Sequence, residues 1–66
     1  MINKIKLSLE EAVSMKLIDF DMFMYLLSKN FNSIIVYTVC EEISNVMFAE
    51  KIINNEQVYF RIKKRS

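Results

Sequence analysis

Val46-Met47-Phe48-Ala49-Glu50-Lys51-Ile52 and Val58-Tyr59-Phe60-Arg61-Ile62-Lys63-Lys64 are two runs rich in β-branched and aromatic residues, with Asn54-Asn55-Glu56 between them. Two such runs around a polar, asparagine-rich break predict a β-hairpin. With Ile53 and Gln57 closing a three-residue loop, Val46, Phe48 and Ile52 share a face with Val58, Phe60 and Ile62. Lys51, Tyr59, Arg61 and Lys63 then occupy the opposite face. A second reading of residues 39–52 stays open at this level. As a helix, the segment gathers Val39, Ile43, Val46/Met47 and Glu50 on one side.

Working outward, Ile34-Ile35-Val36-Tyr37-Thr38-Val39 has the composition of an inner strand, and Glu41-Glu42-Ile43-Ser44-Asn45 reads as a polar connection. Asn30-Phe31-Asn32-Ser33 is a break, since asparagine enters left-handed turn conformations more readily than other non-glycine residues. Asp19 or Asp21 can cap a helix over about 20–29, in which six consecutive apolar residues, Met22 to Leu27, wrap the whole circumference. A shorter helix over about 9–17 starts from Ser8 as N-cap with Glu11 three residues on, the capping-box spacing. It places Leu9, Ala12, Val13 and Lys16/Leu17 on one side. Residues 2–7 alternate, with Ile5, Leu7 and Leu9 on one side and Lys4, Lys6 and Ser8 on the other, the period of a half-buried strand. The sequence thus predicts one compact α+β domain over residues 1–66. Its order is β-α-α-β-β-β, with two short helices and a three- to four-stranded antiparallel sheet.

The composition supports a folded core: Ile, Leu, Val and Phe make up 24 of the 66 residues. Residues with AT-rich codons (Phe, Tyr, Met, Ile, Asn, Lys) number 35, against 4 Gly, Ala, Arg and Pro, which points to an AT-rich source such as a low-GC bacterium, phage or plasmid. The chain has no Gly, so no phosphate-cradling loop, nucleophile elbow or EF-hand loop can form. It has no His, which removes the usual neutral-pH base and the commonest transition-metal ligand. Cys40 is the only thiol, and flanking Glu41 and Glu42 disfavour its thiolate. Adjacent carboxylates (Glu10/Glu11, Glu41/Glu42) diverge on any regular backbone and form no acid–base couple. These features predict a non-enzymatic protein with no catalytic, cofactor or metal site and no evident small-molecule substrate. No apolar run approaches the roughly 18–20 residues of a membrane span, and no signal-peptide pattern opens the chain, so a cytoplasmic location is expected.

Two binding readings remain. The chain is 53% hydrophobic with 5 Met and 8 aromatic residues, more apolar surface than a core of this size readily hides. Phe20, Met22, Met24 and Tyr25 are the candidates for a surplus apolar face. The leading expectation is a small regulatory or inhibitory protein of phage or mobile-element type, docking that face on a partner protein or pairing with itself as a homodimer. The alternative rests on charge: residues 58–66 carry Arg61, Lys63, Lys64 and Arg65 and no acid, whereas residues 31–57 are net acidic. A basic strand that also carries Tyr59 suits phosphate contact and base stacking.

Leu7-Ser8-Leu9-Glu10-Glu11-Ala12, a following helix and a late hairpin ending Arg61-Ile62-Lys63-Lys64-Arg65 together resemble small winged-helix excisionases of mobile elements. That resemblance implies a helix in the DNA major groove with the hairpin as a wing, a DNA-binding regulator. Met22 to Leu27, at the position of the recognition helix, is apolar where base edges require polar and basic side chains.

Overall fold

The computed structural model describes residues 2–63. β1 (Ile2–Ser8) passes directly into α1 (Leu9–Ser14), followed by α2 (Phe20–Ser28), β2 (Ser33–Val39), β3 (Glu42–Ile53) and β4 (Glu56–Lys63). The four strands form one antiparallel sheet in the order β1-β2-β3-β4. The predicted α+β class and element order therefore hold.

Local chemistry explains each boundary. Ser8 Oγ accepts from the Glu11 N–H at 3.0 Å, and Glu11 Oε1 accepts from the Ser8 N–H at 2.9 Å, a complete capping box. Those bonds, the backbone one foremost, hold the Glu11 carboxyl below its usual range. α1 ends at Ser14, short of the predicted residue 17, because Lys16 takes a left-handed conformation (φ 60°). The Leu17 N–H then reaches back to the Ala12 carbonyl at 2.9 Å, and Leu17 and Ile18 turn into the core. α2 starts from Asp19, whose Oδ1 accepts from the Met22 N–H at 2.8 Å. It ends by the same device, with Asn30 at φ 66° and the Phe31 N–H donating to the Leu26 carbonyl at 3.0 Å.

Both helices cover one face of the sheet. Leu9, Ala12, Leu17, Ile18 and Leu26 pack there against Ile34, Val36, Met47, Ala49 and Ile62. The apolar circumference of α2 divides: Leu26 is fully buried and Met22 and Phe23 pack against the core, whereas Phe20, Met24, Tyr25 and Leu27 face outward.

Of the two readings of residues 39–52 the hairpin holds and the helix does not: Glu42–Ile53 is a single twelve-residue strand. Two other expectations for the C-terminal half are corrected. The polar segment 41–45 is mostly strand, because Cys40 and Glu41 (φ 52° and 68°) form a two-residue turn and Glu42 and Ile43 pair with Val39 and Thr38. The β3–β4 loop also has two residues, not three. Asn54 and Asn55 both have positive φ (52° and 66°), as a type I′ turn requires, and Ile53 pairs with Glu56. The change of one loop residue moves β3 to the other face relative to β4. Met47, Ala49 and Lys51 accordingly share the helix-covered face with Val58, Phe60 and Ile62, while Val46, Phe48 and Ile52 join Tyr59, Arg61 and Lys63. Lys51 closes over the core edge, with its Nζ 4.5 Å from the Phe31 ring centre and donating to the Lys29 carbonyl at 2.7 Å.

Ser8→Ala removes one half of the capping box and is expected to cost about 1 kcal/mol in urea denaturation. Glu41→Gly relieves a left-handed non-glycine residue and is expected to raise stability by about 0.5 kcal/mol, after the entropy glycine adds to the unfolded chain.

Candidate nucleic-acid interface

The sheet face away from the helices is built by strand alternation and register. β1 contributes Lys4 and Lys6, β2 Ser33, Ile35 and Tyr37, β3 Phe48 and Glu50, and β4 Tyr59, Arg61 and Lys63. Cross-strand pairing aligns them in rows. Lys6, Ile35, Phe48 and Arg61 make one row across all four strands, and Ser33, Glu50 and Tyr59 make the next. The β2–β3 ladder is irregular between Val36 and Thr38, where Tyr37 stands opposite a longer stretch of β3, Ser44–Val46.

Although no helix covers this face, Ile35 is only 1% exposed. Aromatic side chains enclose it. Phe48 lies edge-on to Tyr37 at 6.3 Å between ring centres (89°) and to Tyr59 at 6.4 Å (79°), the arrangement aromatic quadrupoles favour. Lys4, Ile35, Tyr37, Phe48 and Tyr59 line a concavity of about 320 Å³.

Glu50, 3% exposed, sits at one end of this cluster. Its Oε1 accepts from Lys6 Nζ at 3.0 Å and from Ser33 Oγ at 3.3 Å, so the buried charge is paired. The Lys6 hydrogen bond, more than any other influence, holds the Glu50 carboxyl below its ordinary 4.5, against the opposing effect of burial. Desolvation, followed by the neighbouring Glu50 carboxylate, pushes the Tyr59 phenol above its usual value. The Tyr59 hydroxyl donates to Gln57 Oε1 at 3.0 Å. Against this buried anion and the exposed Glu42, which stands opposite Val39 at the other end of the face, the face carries Lys4, Lys6, Arg61 and Lys63, so its net charge is positive.

The structure therefore brings Tyr59, Arg61 and Lys63 from the predicted basic strand together with residues that sequence reasoning left out of the site: Lys4, Lys6, Ile35, Tyr37 and Phe48. Lys64 and Arg65 lie outside the described residues. The alternation in β1 already placed Lys4 and Lys6 on one side, but the three-residue loop assigned Phe48 to the opposite face from Tyr59. The predicted apolar set lies across the sheet from this face, on α2. It is not one surface: Phe20, Met24 and Tyr25 are exposed, whereas Met22 packs against the core. The β3–β4 hairpin forms half of a continuous sheet and does not stand free as a wing. Cys40 is exposed in its turn as a free thiol. Among the described residues no cluster of His, Cys, Asp or Glu could hold a metal ion, and no helix is long and apolar enough to cross a membrane.

Comparison with protein-family models, curated proteins and solved structures finds no match for this chain.

Because the folded-state pKa of Glu50 is depressed, its contribution to stability is present above about 4.5 and is lost as pH falls below that value. Glu50→Gln is expected to lower the urea midpoint at pH 7 and to lower it less at pH 3. An equal loss at both pH values would show that the side-chain charge does not contribute.

Proposed function

We propose that this protein acts by binding, not catalysis, and that its open sheet face takes single-stranded nucleic acid. The observation that carries the reading is the row Lys6-Ile35-Phe48-Arg61, with Tyr37 and Tyr59 beside it: an aromatic floor between cations on the two edge strands. Four strands at about 4.8 Å spacing put Lys6 and Arg61 roughly 14 Å apart. Phosphates can meet the cations at the rims while bases lie over the tyrosines. Bases that are stacked in a duplex cannot reach such a floor, whereas unpaired bases can, and aromatic stacking accepts any base.

The sheet, not a recognition helix, carries the contacts in this reading. α2 has no Lys or Arg between Phe20 and Ser28, and the side chains it presents outward are mostly apolar. This separates the proposal from the helix-in-groove mode implied by the excisionase resemblance, while it keeps Tyr59, Arg61 and Lys63 as contacts. Docking on a host protein through α2 has less support, because the exposed apolar side chains there specify no particular partner chemistry.

The test is fluorescence anisotropy with a labelled oligothymidylate and with duplex DNA at several salt concentrations. Lys4, Arg61 and Lys63 on phosphates, with Lys6 held by Glu50, predict a log–log salt slope of about −2.1 for the single strand. Tyr59→Ala should weaken binding by about tenfold at fixed salt, and Arg61→Ala should make the slope shallower by about 0.7. No binding to the single strand at low salt, or duplex binding as tight as single-strand binding, would overturn the proposal.

A further inference from the structure

β1 and β4 are the two edges of the sheet, and they end it differently. β4 pairs with β3 without interruption from Ile53–Glu56 to Val46–Lys63, so its eight residues form a regular edge with no bulge and no proline. On the helix-covered side this edge carries Val58, Phe60 and Ile62, and no charge after Glu56. Phe60 is left 39% exposed, although its ring lies 5.9 Å from that of Phe31 and 6.1 Å from that of Tyr25. An edge strand turns alternate backbone N–H and C=O groups outward, and a regular apolar edge is a template for a further strand.

The charges along the two edges decide which strand that is. Two copies of one edge strand join antiparallel about a two-fold axis normal to the sheet, so each residue stands opposite one of the same parity. For β1, every such register that overlaps more than half of the strand sets Lys4 or Lys6 opposite a lysine. Like charges directly opposite are destabilising, so β1 repels its own copy. A β1–β4 joint leaves a free edge at each end and adds chains without closing. β4 joined to β4 meets neither obstacle. Among the described residues its two longest registers centre on Tyr59 or on Phe60. Centring on Tyr59 puts the Glu56 carboxylate opposite Ile62. Centring on Phe60 puts Val58 opposite Ile62, Phe60 opposite Phe60, Tyr59 opposite Arg61 and Gln57 opposite Lys63. Apolar residues then meet apolar residues, Arg61 meets an aromatic ring, and no like charges stand directly opposite.

We infer that β4 pairs antiparallel with β4 of a second copy of this chain, centred on Phe60, which joins two four-stranded sheets into one. Both outer edges of the joined sheet are then β1, and their lysines stop further growth. Because the axis is normal to the sheet, the two open aromatic faces lie side by side on one surface and the helices on the other. The inference goes beyond nucleic-acid binding and does not depend on it. A single strand-to-strand contact buries less than the roughly 800 Å² per partner of standard complexes, so the dimer is weak and concentration-dependent.

Sedimentation equilibrium of the full chain without nucleic acid, from about 10 µM to about 1 mM, should show a monomer–dimer equilibrium. Phe60→Lys sets two like charges together at the axis and should be monomeric throughout, with an unchanged far-UV circular dichroism spectrum. Tyr59→Lys places a lysine opposite Arg61 twice and should raise the Kd by about tenfold. Disulfide trapping in the Cys40→Ser background tests the register separately. Residues directly opposite have Cα atoms about 4.5–5.5 Å apart, within disulfide reach, so Phe60→Cys should form a covalent dimer on oxidation. The two copies of residue 58 lie about 14 Å apart, so Val58→Cys should not. A wild type that stays monomeric at the highest concentration would overturn the inference. So would species larger than a dimer, a dimer that persists in Phe60→Lys, or trapping no faster at residue 60 than at residue 58.

Discussion

The two-residue turn at Asn54-Asn55 is the constraint on which the rest of this structure depends. Both residues are left-handed, so Ile53 pairs with Glu56 and every later pair follows, from Ile52 with Gln57 to Val46 with Lys63. Side chains alternate along a strand, so a slip of one residue would exchange the core for the surface. In the observed register Met47 and Ala49 lie beneath the helices with Phe60 and Ile62, and Phe48 and Glu50 face outward with Tyr59 and Arg61. The core and the candidate binding face thus have a common origin. Without glycine, the chain makes its left-handed turns with Lys16, Asn30, Cys40, Glu41, Asn54 and Asn55. Asparagine is the best suited of these, and it occupies the turn where register matters most.

The outward face has to hold its shape without a second layer. It does so by burying Ile35 under a row of edge-on aromatic rings and by sealing Glu50 between Lys6 and Ser33. A buried carboxylate is costly without partners, so the Lys6–Glu50 pair ties the edge strand β1 to β3 across the Ser33 and Ile35 backbone of β2. The same packing keeps the aromatic floor ordered before anything binds, which reduces the entropy lost on association. Glu50 neutralises only one of the four cations on the face, so the face remains attractive to phosphate.

Much of this was legible in the sequence. The capping box at Ser8 and Glu11, the helix started by Asp19, the alternation of Lys4 and Lys6 with Ile5 and Leu7, and the late hairpin all follow from local chemistry, and all are present. The register was not legible, because Asn54-Asn55-Glu56 can be read as a three-residue loop and nothing local excludes it. Only the competition between Met47/Ala49 and Phe48/Glu50 for the helix-covered face decides the question, and that is a tertiary effect. Segment 41–45 was misread for a similar reason: Glu42 and Ser44 look like loop residues, yet pairing with β2 draws the segment into β3. Phe48 and Tyr37 were missed as site residues because their role depends on which face they occupy. The division of α2 into buried and outward sides likewise depends on where α1 and the sheet lie.

The central claim is that the open sheet face, and not the helical side, is where nucleic acid binds. Nuclear magnetic resonance titration of the isotope-labelled protein with an oligothymidylate tests this most directly. The account predicts that the largest chemical-shift changes fall on Lys4, Lys6, Ile35, Tyr37, Phe48, Tyr59 and Arg61, with the Phe20–Ser28 helix nearly unmoved. Shifts concentrated on the α2 helix, or a spectrum that does not change at low salt, would contradict it.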